Sequence, residues 1–133
     1  MRRPRVLLVD DTPEILEYCI EILESHYDIV GTAPNGKSAI AAFEATTPDV
    51  LVLDISMPGL NGIEVARRLR SAGCQAAIVF LSGNEEFASA ALKAGGSGFV
   101  SKPQISSDLL VAIREALAGR VFVSDSSCEL STD

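Results

Sequence analysis

The chain has 133 residues, a formal net charge of −7, and 47% hydrophobic and 22% charged residues. This size and balance fit one globular domain with its own core and argue against disorder. The acidic charge argues against a nucleic-acid or anionic membrane surface. No apolar run approaches the ~18 residues that a membrane span requires.

Cysteine and histidine usage excludes further classes of site. The three cysteines, Cys19, Cys74 and Cys128, have neither metal-ligand nor disulfide-framework spacing. His26 is the single imidazole, so a zinc site or a catalytic histidine arrangement is not expected. The basic N-terminus is followed by too short an apolar run for a secretory signal, and we expect the protein to be cytoplasmic.

Apolar periodicity predicts five strands that alternate with five helices. The stretch from Val50 to Leu53 is continuously aliphatic, which is typical of a strand buried on both faces of a parallel sheet. The residues from Tyr27 to Ala33 alternate as a strand with one partly exposed side. The predicted strands cover residues 5–9, 27–33, 49–53, 76–81 and 97–101.

Each predicted helix has one apolar face and recognisable end signals. We expect Thr12 to cap the first helix, Asn84 the fourth, and Ser106 or Ser107 the fifth. The basic residues of the third helix are expected to lie mostly on its solvent face: Arg67, Arg68 and Arg70. The helices are predicted to end near Ser25-His26, Thr47-Pro48, Gly73, Ala94-Gly95-Gly96 and Gly119.

The last stretch differs from the rest of the chain. Residues 120–133 are rich in serine and acidic residues, with a small apolar patch at 121–123. They are predicted to be a linker or tail, and residues 1–119 to be one domain. We recognise no internal repeat.

The alternation of strands and helices predicts an α/β fold, a flavodoxin-like, doubly wound, five-stranded parallel sheet with right-handed crossovers. We infer the strand order 2-1-3-4-5 from this class, and it makes the first and third strands neighbours. Ligands bind at the carboxyl ends of such strands. Carboxylates follow both strands, Asp10 and Asp11 after the first and Asp54 after the third. Ser82 and Lys102 end the fourth and fifth strands on the same rim.

Carboxylates gathered in this way favour a cation site. Two like charges ~4 Å apart repel by about 4 kcal/mol at an effective dielectric constant of ~20. Mg²⁺ and Lys102 together would neutralise Asp10, Asp11 and Asp54, and Mg²⁺ keeps positions open for phosphate oxygens. A metal, a lysine, a hydroxyl and a carboxylate nucleophile are the components of phosphoryl transfer to aspartate.

With these residues the chain resembles the CheY-like receiver domains of bacterial two-component response regulators, over about residues 5 to 118. The resemblance rests on five motifs: Asp10-Asp11, Asp54 with Met57-Pro58-Gly59 and Gly62, Ser82-Gly83, Phe99, and Lys102-Pro103. It implies that Asp54 accepts a phosphoryl group from a sensor histidine kinase or a phosphotransfer protein. It also implies that Mg²⁺ is held by Asp10, Asp11, Asp54 and the backbone carbonyl of Ser56.

The resemblance further implies a conformational switch. Lys102 and Ser82 would contact the phosphoryl group, and Phe99 would swing inward as Ser82 donates its hydrogen bond. The Lys102–Pro103 bond is expected to be cis, as in such domains. Ser82 stands where threonine is more usual and Phe99 where tyrosine is frequent.

The fourth helix, fifth strand and fifth helix are the expected output face. The resemblance implies a signalling module that catalyses its own phosphorylation and dephosphorylation, with a homodimer as one form of the phosphorylated state. Residues 119–124 resemble the segment that leaves the receiver in regulators with a C-terminal helix-turn-helix domain. The chain is then either a stand-alone receiver or part of a transcription regulator, and this fragment itself is expected to bind no nucleic acid and no membrane.

Two other function classes stay open at this point. A phosphohydrolase with an aspartate nucleophile usually has a second aspartate two residues later, where this chain has Ser56. It also usually has a cap segment, for which this chain has no room. A flavodoxin-like cofactor module would need phosphate-binding loops and aromatic residues that the sequence lacks.

Overall fold

The computed structural model describes residues 2–124, and within them six strands alternate with five α-helices. The strands are β1 (Arg5–Val9), β2 (Asp28–Ala33), β3 (Val50–Asp54), β4 (Ala77–Ser82), β5 (Gly98–Ser101) and β6 (Phe122–Val123). The helices are α1 (Pro13–Leu23), α2 (Gly36–Thr46), α3 (Gly62–Ser71), α4 (Ala88–Lys93) and α5 (Ile105–Leu117). Single 3₁₀ turns at Glu85–Phe87 and Lys102–Gln104 lead into α4 and α5.

All neighbouring strands are parallel, in the order β2-β1-β3-β4-β5-β6. The predicted order of the first five strands is therefore confirmed. Val9 at the end of β1 is in register with Leu53 in β3. This register sets Asp10 beside Asp54.

The expectation of a five-stranded sheet is corrected by β6. Phe122 and Val123, predicted to be part of a linker, pair with Gly98 and Phe99 at the edge of the sheet. The short apolar patch can do this because β5 otherwise has a free edge of backbone donors and acceptors. The rest of the predicted tail, residues 125–133 with Cys128, lies outside the described residues.

The sheet is buried on both faces, as the aliphatic run in β3 predicted. One face packs against α2, α3 and α4 through a cluster that includes Leu7, Leu53, Phe80 and Phe99. The other face packs against α1 and α5, and α5 contributes Leu109 and Ile113. Across residues 2–124, none of the helices combines the length and the apolar character needed to cross a membrane.

Three asparagines cap helical turns through their side chains. The side chains of Asn35, Asn61 and Asn84 accept hydrogen bonds from backbone amides two or three residues later, which satisfies donors that a helix start leaves unpaired. The predicted cap of the fifth helix is wrong. Helix α5 begins at Ile105 without a side-chain cap, because the preceding 3₁₀ turn already directs the chain into it.

Arg70 departs from the predicted solvent face of α3. Its guanidinium donates hydrogen bonds to the backbone carbonyls of Gly95 (2.6 Å), Cys74 (2.9 Å) and Ala76 (2.7 Å). Arg67 and Arg68 are exposed, as expected. Arg70 therefore ties the end of α3 to the start of β4 and to the turn after α4.

The substitution Arg70→Ala should lower the free energy of unfolding by about 2–3 kcal/mol, because it removes charge-assisted bonds to three carbonyls. Arg67→Ala is the matched control. Arg67 forms only an exposed ion pair with Glu64, so its loss should change stability by about 0.5 kcal/mol or less. Urea denaturation measures both, and equal effects would contradict the assigned role of Arg70.

Candidate functional site

Three carboxylates meet at the carboxyl ends of β1 and β3. Asp54 is the last residue of β3 and is fully buried, Asp10 directly follows β1 and is 1% exposed, and Asp11 is exposed. One oxygen from each of these residues lies within 4.8 Å of the others. The structure thus brings together the acidic residues that the sequence predicted, in a group that could hold a metal ion.

Lys102 reaches this cluster from the 3₁₀ turn after β5. Its Nζ lies 3.1 Å from Asp54 Oδ1 and 3.2 Å from Asp10 Oδ2. Burial alone lowers the pKa of Lys102, but the negative charges of Asp54 and Asp10 raise it above its ordinary value. The ammonium group therefore stays protonated between the two carboxylates.

One ammonium group does not compensate three carboxylates. Burial raises the pKa of Asp54 to about 6, and the charge of Asp10 adds to this effect while Lys102 opposes it. A raised pKa means that the folded protein disfavours the ionised carboxyl group. The cluster therefore holds more negative than positive charge, and burial makes the ionised form of Asp54 unfavourable.

The hydrogen bonds show the same deficit. Asp54 Oδ1 lies near Lys102 and accepts a bond from the Ser56 amide (3.3 Å), whereas Asp54 Oδ2 is buried without a hydrogen-bond partner. Asp10 Oδ2 is at ion-pair distance from Lys102 but also lacks hydrogen-bond geometry. Buried carboxylate oxygens without donors are unfavourable, and hard cations prefer such oxygens.

Gly62 allows the loop after β3 to pack closely against the site. A Cβ atom at this position would lie 2.2 Å from the carbonyl oxygen of Asp54. The amide of Gly62 donates to the carbonyl of Ile55 (2.9 Å), so the start of α3 is held directly against the end of β3. The glycine in the motif thus fixes the position of the Asp54 backbone.

The hydroxyl group of Ser82 is already engaged in a turn. Ser82 is buried at the end of β4, and its Oγ donates to the Asn84 carbonyl (3.0 Å) and accepts from the Asn84 amide (2.9 Å). Asn84 was expected to cap a helix and to flank the pocket, and a turn start was the alternative role for Ser82; the pairing of the two residues was not predicted. A serine two residues before a turn residue is a signal that could have indicated it.

Phe99 lies inside the apolar core in this state. Its side chain is fully buried in the same cluster as Phe80. The inward position that we expected after phosphorylation is therefore occupied here, and the inward swing itself stays a prediction.

The expected cis bond before Pro103 is not observed. The Lys102–Pro103 bond is trans, as are all peptide bonds among the described residues. Pro103 lies in the 3₁₀ turn Lys102–Gln104, where its fixed φ suits the first turn of a helical segment. For bonds that precede proline the two isomers differ by only about 0.5–1 kcal/mol, so local turn geometry decides between them.

Residues 6–114 match the response regulator receiver domain family. The chain belongs to this family. It is 36% identical over 124 residues to the nitrate/nitrite response regulator protein NarL of Escherichia coli, and the match covers 90% of this chain and 57% of NarL. It is 34% identical to the chemotaxis protein CheY of Halobacterium salinarum, with 85% and 96% of the two chains covered. This receiver domain thus spans little more than half the length of NarL.

Solved structures agree with this assignment. A two-component response regulator of the LuxR family from Aurantimonas superposes with a TM-score of 0.87 at 32% identity, covering 98% of this chain and 99% of that one. The receiver domain of the NarL regulator from Mycobacterium tuberculosis gives 0.84 at 31%, covering 90% and 100%. The phosphohydrolase and flavodoxin-like cofactor classes are therefore no longer needed to explain the site.

Asp54→Asn should stabilise the receiver domain in EDTA at neutral pH. The pKa of Asp54 is raised from 3.8 to about 6, so the wild-type protein loses stability as the pH rises between these values and does not regain it above them. The variant avoids this loss and should be more stable at pH 7 by about 1–3 kcal/mol. The difference should shrink as the pH falls from about 6 to 4.

Thermal and urea unfolding of both proteins across this pH range test the prediction. The exposed Asp11 provides a matched control, and Asp11→Asn should give a smaller gain. A less stable Asp54→Asn variant at pH 7 would contradict the charge deficit.

Proposed function

We propose that this receiver domain accepts a phosphoryl group on Asp54 from the phosphohistidine of a sensor histidine kinase or of a phosphotransfer protein. The observation that carries the proposal is the buried carboxylate of Asp54, with one oxygen free of partners, beside a protonated lysine and two further carboxylates. The response-regulator relatives support it, because NarL and CheY belong to the same family as this chain.

The residues fit a Mg²⁺ ion. They offer only hard oxygen ligands, and two of those oxygens are buried without hydrogen bonds. Asp10, Asp11, Asp54 and the backbone carbonyl of Ser56 would hold the ion. When bound, Mg²⁺ supplies positive charge to the cluster and to the oxygens of the phosphoryl group.

Asp54 and Lys102 are the groups of the chain that carry out the transfer. A carboxylate oxygen of Asp54 attacks phosphorus, the new P–O bond forms, and the P–N bond of the phosphohistidine breaks with its electron pair going to the imidazole nitrogen. With a pKa of about 6, Asp54 is mostly ionised at neutral pH and is able to attack. Lys102 stabilises the phosphoryl oxygens, which carry the charge of the transition state.

Ser82 and Phe99 would convert phosphorylation into a conformational change. Ser82 has to release the Asn84 carbonyl before its hydroxyl can donate to a phosphoryl oxygen. This exchange shifts the population between two arrangements of the β4–α4 turn and of Phe99 in β5. The surface of α4, β5 and α5 would carry the change to an output domain or protein.

We propose residues 1–119 as the receiver module and 120–133 as the segment that connects it to an output, which in a longer parent protein would be transcription control. The module would catalyse its own phosphorylation and dephosphorylation in the cytoplasm, and phosphorylation would favour a homodimer. The fragment would bind neither nucleic acid nor membrane.

Incubation with acetyl phosphate and Mg²⁺ should add one phosphoryl group to the wild-type chain, as measured by intact-protein mass spectrometry. Asp54→Ala should remain unmodified because it lacks the acceptor. Asp28→Asn, which changes an exposed carboxylate at the start of β2, should be modified like the wild type. EDTA should block the reaction.

Two outcomes would contradict the proposal. Equal modification of Asp54→Ala would place the acceptor elsewhere, and neither modification nor consumption of acetyl phosphate by the wild type would remove phosphoryl transfer from this site.

A further inference from the structure

A short C-terminal segment lies along the outer edge of β5. We call residues Phe122–Ser124 the strap. Phe122 and Val123 of the strap are in register with Gly98 and Phe99, and the Ser124 amide donates to the carbonyl of Phe99 (2.8 Å). The strap thus continues the sheet on the face that contains β5 and α5.

Ser124 makes the most specific contacts of the strap. It is buried, with 6% of its surface exposed. Its hydroxyl accepts a hydrogen bond from the amide of Ser101 (3.0 Å) and donates one to Asp108 Oδ2 (2.7 Å) in the first turn of α5. One side chain therefore bridges the end of β5 and the start of α5, and its bond to the carboxylate is charge-assisted.

One of these contacts involves a residue that is adjacent in sequence to the proposed phosphorylation site. Ser101 directly precedes Lys102, which holds Asp54 and Asp10. Ser101 is also in register with Ser82 on the neighbouring strand. Ser124 therefore binds both ends of the segment from Phe99 to Ser101, since its amide binds Phe99 and its hydroxyl binds Ser101. This segment connects the strap to Lys102.

The rest of the strap is only partly buried: Phe122 packs half-buried against the core cluster that contains Leu109 and Ile113. Val121, just before it, is 60% exposed and Val123 is 39% exposed, and only two residues pair with β5. Weakly buried edge segments open at low free-energy cost. A change in the position of Ser101 would then shift the equilibrium between a docked and a released strap by as much as it weakens the hydrogen bond to Ser124.

We propose that the strap is coupled to Asp54, so that it is docked in the unphosphorylated protein and released on phosphorylation. The inference rests on the proposed function. A phosphoryl group adds volume between Asp54 and Lys102, and Lys102 has to move away from the carboxylates to pair with it. The backbone at Ser101 moves with Lys102 and weakens the bond to the Ser124 hydroxyl. The signal then leaves the domain through its own C-terminal segment.

Residue-resolved amide hydrogen exchange by NMR on the 133-residue chain tests the coupling. The probe is BeF₃⁻ with Mg²⁺, and ¹⁹F NMR checks that it binds. We expect exchange at the Ser124 amide to become at least about fivefold faster with BeF₃⁻, the lower end of typical coupling between sites. Unchanged or slower exchange with BeF₃⁻ bound would overturn the coupling and leave the proposed function intact. Failure of both BeF₃⁻ binding and phosphorylation by acetyl phosphate would overturn both.

A reciprocal test uses substitutions, since coupling between two sites acts in both directions. Ser124→Ala removes the bridge but keeps the backbone pairing, and with Mg²⁺ present it should tighten the binding of BeF₃⁻ about fivefold, as measured by ¹⁹F NMR titration. Ser71→Ala, at an exposed position at the end of α3, is the control and should leave the affinity for BeF₃⁻ unchanged.

The partner of the Ser124 hydroxyl gives a second check. Asp108→Ala should tighten BeF₃⁻ binding as Ser124→Ala does, and the double variant should bind no more tightly than either single variant because all three lose the same bridge. If Ser124→Ala lowers the melting temperature without changing the affinity for BeF₃⁻, Ser124 is only structural and the proposal is wrong.

Discussion

The uncompensated negative charge at the ends of β1 and β3 is the constraint on which the rest of the structure depends. Lys102 neutralises part of it, yet Asp54 keeps a raised pKa and a buried oxygen without a partner. A fold selected only for stability would not keep such a residue, because an amide or an apolar side chain of similar size costs less to bury. The cost is understandable if the carboxylate has to remain reactive. Substitutions that remove such destabilising features usually lower activity as well.

The surrounding structure serves to hold these charges in place. The parallel pairing of β1 with β3 sets Asp10 beside Asp54, and Gly62 lets α3 close directly against the Asp54 backbone. Away from the carboxylates, Arg70 donates a hydrogen bond to the turn that connects α4 to β5. The site is therefore built on rigid strands, while the elements proposed to move, namely the β4–α4 turn, the end of β5 and the strap, lie beside it.

Sequence reasoning succeeded where one local pattern determines the structure. The proximity of Asp10, Asp54 and Lys102 could be predicted because all parallel strands end at the same edge, and the aliphatic runs identified those strands. It failed where the outcome depends on a tertiary partner. In the sequence, Arg70 resembles a solvated helix residue, and only the folded structure brings the carbonyls of a distant turn to it. The apolar patch of the strap forms a strand only because β5 has a free edge. The geometry around Pro103 and the missing cap on α5 depend in the same way on how the turn joins the helix.

The most direct test is a pH titration of the Asp54 carboxyl carbon by ¹³C NMR, without and with Mg²⁺. The account predicts an apparent pKa of about 6 in the metal-free protein and a clear decrease on addition of Mg²⁺, because the ion supplies the missing positive charge. An apparent pKa close to the ordinary value of 3.8, or a raised value that Mg²⁺ leaves unchanged, would contradict it.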